Sequence, residues 1–194
     1  MRVISGENKG RKLKAVSGRM TRPTTDKVKE TIFNMIGPFF EGGTVLDLYG
    51  GSGGLGIEAL SRGLDHAIFV DKASAACRII RENIKLCSYE GRATVLQLES
   101  TRALEKLSDD GAVFDLVFLD PPYAKQHLRQ DIETLLAKKL FADQAVLVVE
   151  HEETVQLPDE FSPQLVRVKF RTYQGQTAVS IFTFQSDQGS ENVE

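Results

Sequence analysis

Val45-Leu46-Asp47-Leu48-Tyr49-Gly50-Gly51-Ser52-Gly53-Gly54-Leu55-Gly56 is the segment from which the architecture of this chain follows. An apolar run ends in a cluster of glycines and apolar residues resume at once, the pattern of a buried strand, a tight turn and a helix start. Glycine takes positive φ and lets a ligand approach the backbone, while the first helical turn offers N–H groups with no intrahelical partner. Gly51, Gly53 and Gly56 match G-x-G-x-x-G, a spacing that suits dinucleotides and adenosyl compounds alike. Tyr49, Gly50, Gly51, Ser52 and Gly53 are therefore candidate cofactor contacts. Asp47, ahead of the glycines, favours a cationic ligand such as the methionyl part of S-adenosylmethionine, and would repel a pyrophosphate.

Outward from this segment, short unbroken apolar runs recur at 44–48, 66–70, 94–98, 114–119 and 145–149, separated by helical patterns at 55–62, 73–87, 101–107 and 128–139. Unbroken apolar strands are buried on both faces, and their alternation with helices predicts a doubly wound, mostly parallel α/β sheet. Leu165–Phe170 and Thr177–Phe184 flank Gln174-Gly175-Gln176 and predict a C-terminal antiparallel hairpin, giving seven strands. At the other end, Val3–Ser5 and Lys12–Val16 flank turn residues and predict a β-hairpin. A helix capped by Thr24 or Thr25 then runs to Ile36, where Gly37-Pro38 stops it. The expected organisation is a basic extension over 1–40 packed on the core, a cofactor-binding domain over 41–185, and a frayed tail over 186–194.

A chain of 194 residues is within what one core serves. No apolar run approaches the roughly 18 residues of a membrane span, and the basic start lacks the apolar stretch of a secretory signal, which points to the cytoplasm. Cys77 and Cys87 lie on one predicted helix, too far apart for a disulfide. His66, His127 and His151 have no partners at metal-ligand spacing, so no metal site is expected. The net charge of -3 conceals a division: residues 1–29 hold nine Lys or Arg against Glu7 and Asp26, a balance of +7 that leaves -10 for the remainder. Such a cationic arm suits phosphates, with Arg2, Lys9, Arg11, Lys12, Arg22 and Lys29 as candidate contacts.

Ligands of an open α/β sheet gather at the carboxyl ends of its strands. Asp71 ends the second run, where an acid accepts hydrogen bonds from ribose hydroxyls, and Glu99 follows the third, within reach of ribose or adenine or simply exposed on its loop. After the fourth come Asp120, Pro121, Pro122 and Tyr123. An exocyclic amino nitrogen is a weak nucleophile because its lone pair is delocalised into the ring. The Asp120 carboxylate and Pro121 carbonyl would accept its two N–H bonds and favour pyramidalisation. The prolines stiffen the turn and Tyr123 offers a stacking face. These residues predict an S-adenosylmethionine-dependent amino-methyltransferase acting on a nucleic-acid base. DNA adenine or a protein glutamine are alternative substrates, and a nicotinamide-dependent oxidoreductase and a non-catalytic RNA-binding module are readings of other classes.

The chain resembles the RsmD family of bacterial 16S ribosomal RNA guanine-N2 methyltransferases, within the class I methyltransferase fold. The resemblance runs from Arg2 to about Phe184 and is carried most specifically by Arg2-Val3-Ile4-Ser5-Gly6, Gly10-Arg11-Lys12-Leu13 and Arg22-Pro23-Thr24-Thr25-Asp26, leading into Lys29-Glu30-Thr31-Ile32-Phe33-Asn34. The family has Arg where Lys29 stands and Ala where Gly50 stands. The resemblance implies 16S ribosomal RNA as the partner, free or in a small ribosomal subunit, and guanine N2 as the target. It also implies that Asp120 to Tyr123 hold the amino group and that Gly51, Gly53 and Asp71 contact the cofactor.

Overall fold

Strands buried on both faces need helices on both, and the fold divides its helices accordingly. The computed structural model describes residues 1–17, 25–122, 124–173 and 176–186. Strands β1 (Thr44–Asp47), β2 (His66–Val70), β3 (Ala93–Leu96), β4 (Phe114–Leu119), β5 (Phe141–Glu152), β6 (Glu160–Ser162), β7 (Leu165–Tyr173) and β8 (Thr177–Phe184) form one sheet, in the order β3-β2-β1-β4-β5-β8-β7-β6. The first five are mutually parallel, and β8 runs antiparallel between β5 and β7. Seven strands were expected and eight are present among the described residues. The addition, β6, is a three-residue edge strand, too short to show a period of its own.

Helices α1 (Asp26–Ile36), α2 (Gly54–Ser61) and α3 (Ser74–Leu86) cover one face through Ile32, Phe33, Ile57, Leu60, Ile80 and Ile84. Helices α4 (Ser100–Asp109) and α5 (Ala124–Ala137) cover the other through Leu104, Leu107, Leu128 and Ile132. Each fully buried ring, such as Phe33 and Phe69, contributes about 1.5–3 kcal/mol of transfer free energy. Thr25 caps α1, its side chain accepting from the Val28 N–H, and Gly37 ends the helix at φ 112°. Gly56 is required by packing: a Cβ there would lie 2.3 Å from the Phe69 ring.

The N-terminal segment forms the expected hairpin, with a short ladder. It closes on one bridge, Arg2 opposite Lys12, with Val3 N–H donating to the Arg11 carbonyl at 2.9 Å and Gly10 N–H to the Val3 carbonyl at 2.8 Å. A longer ladder is replaced by side chains from the body. Glu58 of α2 accepts the Ile4 and Ser5 N–H groups, and Asn83 of α3 accepts that of Lys14. A Cβ on Gly6 would collide with the Ser61 carbonyl oxygen at 1.7 Å, so the segment lies tight against α2. The expected tail lies outside the described residues from 187 onward.

Candidate active site

Succession along the chain runs β1, β2, β3 in one direction across the sheet, and β4 and β5 extend from β1 in the other. The carboxyl ends of β1 and β4 therefore border the crevice where such sheets bind ligands. Asp47 ends β1, Asp71 follows β2, Glu99 precedes α4 beyond β3, and Asp120 follows β4. Parallel strands bring all four acids to one edge.

The glycine turn is held from several sides. Gly51 and Gly53 adopt φ 58° and 83°, Gly50 N–H donates to the Val70 carbonyl at 2.8 Å, and Gly53 N–H donates to the Gly50 carbonyl at 2.7 Å. Asp71 accepts from Gly51 N–H at 3.0 Å on one oxygen and from Ala73 N–H at 2.9 Å on the other. The second strand thus fixes the loop of the first.

Asp47 is 2% exposed and accepts the Gly56 N–H at 3.2 Å. Burial pushes its carboxyl up to about 7, with the Asp71 charge adding to the shift and the Gly56 N–H partly offsetting it. The native carboxyl therefore holds its proton more tightly than the unfolded one. Stability from this group is complete below the ordinary carboxylate range, near 3.8, and is lost as pH rises through about 7. We expect this loss to reach roughly 4 kcal/mol and to be absent in Asp47→Asn. Urea midpoints of both proteins at about pH 4 and about pH 8 check this; parallel pH dependence in the two would refute it.

Tyr49 donates its hydroxyl to the buried Asp131 of α5 in a short hydrogen bond. Burial raises both groups, and the proximity of the carboxylate raises the phenol further. The Tyr49 hydroxyl hydrogen is thereby committed to Asp131, so toward a ligand this hydroxyl acts only as an acceptor. Glu99 is exposed and pairs with Lys72 at 3.5 Å. Asp120 is half-buried, Pro121 buried and Pro122 exposed, while Tyr123 lies outside the described residues.

Of the candidate phosphate contacts, Arg2, Lys9, Arg11 and Lys12 are exposed, Arg2 pairing with Asp26 at 3.3 Å. Arg22 lies outside the described residues. Lys29 must be corrected. It is fully buried, its Nζ 3.3 Å from Glu58 and donating to the Arg2 carbonyl at 2.5 Å, so it cannot meet a phosphate. Burial lowers its pKa against the pull of Glu58, which also takes the Arg62 Nε at 2.8 Å.

Three residues that the sequence did not single out prove central: Glu58, Asn83 and Asp131 are buried polar groups that join distant segments. Asn83 carried a usable signal, since a polar residue three positions after Ile80 and seven after Ala76 sits on the apolar stripe of its helix. Cys77 and Cys87 are both buried, and the Cys77 thiol donates to the Asp71 carbonyl at 3.2 Å. Among the described residues no cluster of three His, Cys, Asp or Glu is placed to hold a metal ion, and no helix is long and apolar enough to cross a membrane.

Comparison with known proteins accords with this arrangement. The family model described as Conserved hypothetical protein 95 matches residues 1–183. The Bacillus subtilis protein YlbH is 47% identical over 182 residues, 94% of this chain and 98% of that protein. Ribosomal RNA small subunit methyltransferase D of Escherichia coli K12 is 35% identical over 158 residues, 81% of this chain and 78% of that one. A conserved hypothetical protein of Streptococcus pyogenes, known from its solved structure, superposes with a TM-score of 0.76 at 46% identity, over 81% of this chain and 96% of that one.

Proposed function

Since the chain belongs to the conserved hypothetical protein 95 family of RsmD-type methyltransferases, we propose that it methylates the exocyclic N2 amino group of a guanine in 16S ribosomal RNA, with S-adenosylmethionine as methyl donor. When bound, that cofactor supplies an electrophilic methyl group on a sulfonium that leaves as a neutral thioether. The residues fit it: the glycine turn has the Asp71 carboxylate against it and the buried Asp47 behind it, a setting that suits a sulfonium and an ammonium better than the pyrophosphate of NAD. Gly50 to Gly53 would carry the ligand close to backbone, Asp71 would accept ribose hydroxyls, and Tyr49 and Glu99 would border it.

The observation that carries the reading is the adjacency of this acid-backed loop, at the end of β1, to Asp120-Pro121-Pro122 at the end of β4. Asp120 and the Pro121 carbonyl would hold the two N–H bonds of the target amine, with Tyr123 stacking on the base. Their task is orientation, which supplies on the order of 7–11 kcal/mol of barrier reduction in well-aligned reactions. No strong base is needed, because the nitrogen sheds its proton after methylation. Residues 1–40 would act as the RNA-facing extension of a catalytic body spanning 41–185, with Arg2, Lys9, Arg11 and Lys12 meeting phosphates. The substrate is small-subunit ribosomal RNA, free or in an assembling subunit, and the compartment is the cytoplasm.

Two measurements test this. Calorimetry should show binding of S-adenosylmethionine and none of NAD, with Asp71→Ala weakening the former; the opposite preference would refute the cofactor assignment. Labelled methyl groups should appear in small-subunit ribosomal RNA as N2-methylguanine on mass spectrometry of the digest. Label in DNA, or at another base atom, would overturn the substrate assignment.

A further inference from the structure

A single buried side chain, with no part in the chemistry above, stands where the cationic arm and the glycine turn meet. Asn83 of α3 is fully buried. Its Oδ1 accepts from the Lys14 N–H at 2.8 Å, and its Nδ2 donates to the Lys14 carbonyl at 2.9 Å and to the Ser52 carbonyl at 2.8 Å. One carboxamide thus engages both backbone groups of an arm residue and one carbonyl of the glycine turn. Two further contacts join the same parts. The Met1 thioether fills the space over Gly54, where a Cβ would come within 2.5 Å of its sulfur, and it lies 3.9 Å from the Ser52 hydroxyl. Glu58, on the helix that grows out of the turn, accepts the Ile4 and Ser5 N–H groups at 2.9 and 3.0 Å.

We infer that Asn83 is a positioning residue that couples the arm to the glycine turn, so that RNA held on the arm and the adenosyl cofactor held on the turn each tighten the binding of the other. The inference rests on the proposed RNA-methyltransferase reading. Its physical basis is the cost of an unsatisfied buried amide. If the turn moves away from the arm, Asn83 loses a partner where no water replaces it, so the two shift together. A ligand that orders one segment orders the other, and the second ligand then has less ordering to do. A basic arm tethered only by its own hairpin would bind RNA without regard to the cofactor.

Linkage makes the test strict, because the factor must be the same in both directions. The probes are S-adenosylhomocysteine and a small-subunit ribosomal RNA fragment, with the full-length chain. Calorimetric Kd values for each, with and without saturating amounts of the other, should give two equal ratios of roughly 5- to 10-fold in the wild-type chain. In Asn83→Ala the ratio should fall towards one. Asn83→Asp keeps an acceptor for Lys14 N–H but loses both donors, so it should uncouple as well. A wild-type ratio of one, or an undiminished ratio in the Asn83 variants, overturns the coupling. Should those variants not fold, hydrogen exchange in the wild-type chain decides: S-adenosylhomocysteine should slow exchange at Val3, Leu13 and Lys14, and unchanged rates there overturn the proposal. If the fragment does not bind, the small ribosomal subunit replaces it as the probe; failure of S-adenosylhomocysteine, or of both RNA probes, to bind the wild-type chain removes the RNA-methyltransferase reading itself, whereas binding without mutual effect removes the coupling alone.

Discussion

Asp120→Ala is expected to slow methyl transfer by about 100-fold or more, the loss seen when one preorganised polar group aimed at a transition state is removed. Cofactor affinity and the unfolding midpoint should remain close to those of the parent. The residue follows the last position of β4, outside the ladder, and the turn behind it is stiffened by the buried Pro121 and by Pro122. Its proposed work is done on the target amine, whose nitrogen becomes positive as the methyl group arrives. Asn at this position keeps a hydrogen-bond acceptor but not the charge, so Asp120→Asn should recover little. Single-turnover transfer to the ribosomal substrate, with cofactor binding measured in parallel, gives the ranking. A near-normal rate in Asp120→Ala would make the turn structural and remove the mechanism.

Glu58→Ala is expected to cost about 3–5 kcal/mol of folding stability, the range found when one partner of a buried ion pair is removed. Glu58, Lys29 and Arg62 are almost wholly withdrawn from water, and the Glu58 carboxylate also accepts two backbone N–H groups of the arm. Its removal leaves two buried cations without their counter-ion and two partly buried N–H groups without their acceptor. Lys29→Met should cost less, because Arg62 still neutralises Glu58. Urea unfolding measures both, and a loss under about 1 kcal/mol for Glu58→Ala would mean that water enters the site and the cluster counts for little.

Features whose chemistry lies within a few consecutive residues were legible in the sequence. The glycine turn and the Asp120 turn each mark a candidate site in four to seven positions, and the alternation of apolar runs with helical patterns yields a parallel sheet. The polar ties that hold the site together were not, because each joins segments remote in the chain: Asn83 to Lys14, Tyr49 to Asp131 and Glu58 to Ile4 are 69, 82 and 54 positions apart. Lys29 was misread for a more instructive reason. Charge assigned it to the cationic arm, yet it lies four positions before Phe33 and three before Ile32, on the buried side of α1. Where residue type and helical period disagree in this way, the period identified the neighbours and the type identified only the need for a counter-ion. The arm closes as the hairpin expected from its turn residues, and its ladder stays short because acceptors on α2 and α3 take the N–H groups of Ile4, Ser5 and Lys14.

The place of β8 has a consequence for how this molecule is made. It lies between β5 and β7, although it follows both in the chain. As a nascent chain leaves the ribosome, Val146–Val149 of β5 therefore present an open, apolar edge until residues 177–184 arrive to pair with them, and β7 has no neighbour on that side either. Such edges invite pairing with other chains. The hazard of aggregation thus belongs to the interval between the appearance of β5 and that of β8, and prompt insertion of β8 into the waiting slot is what closes the window.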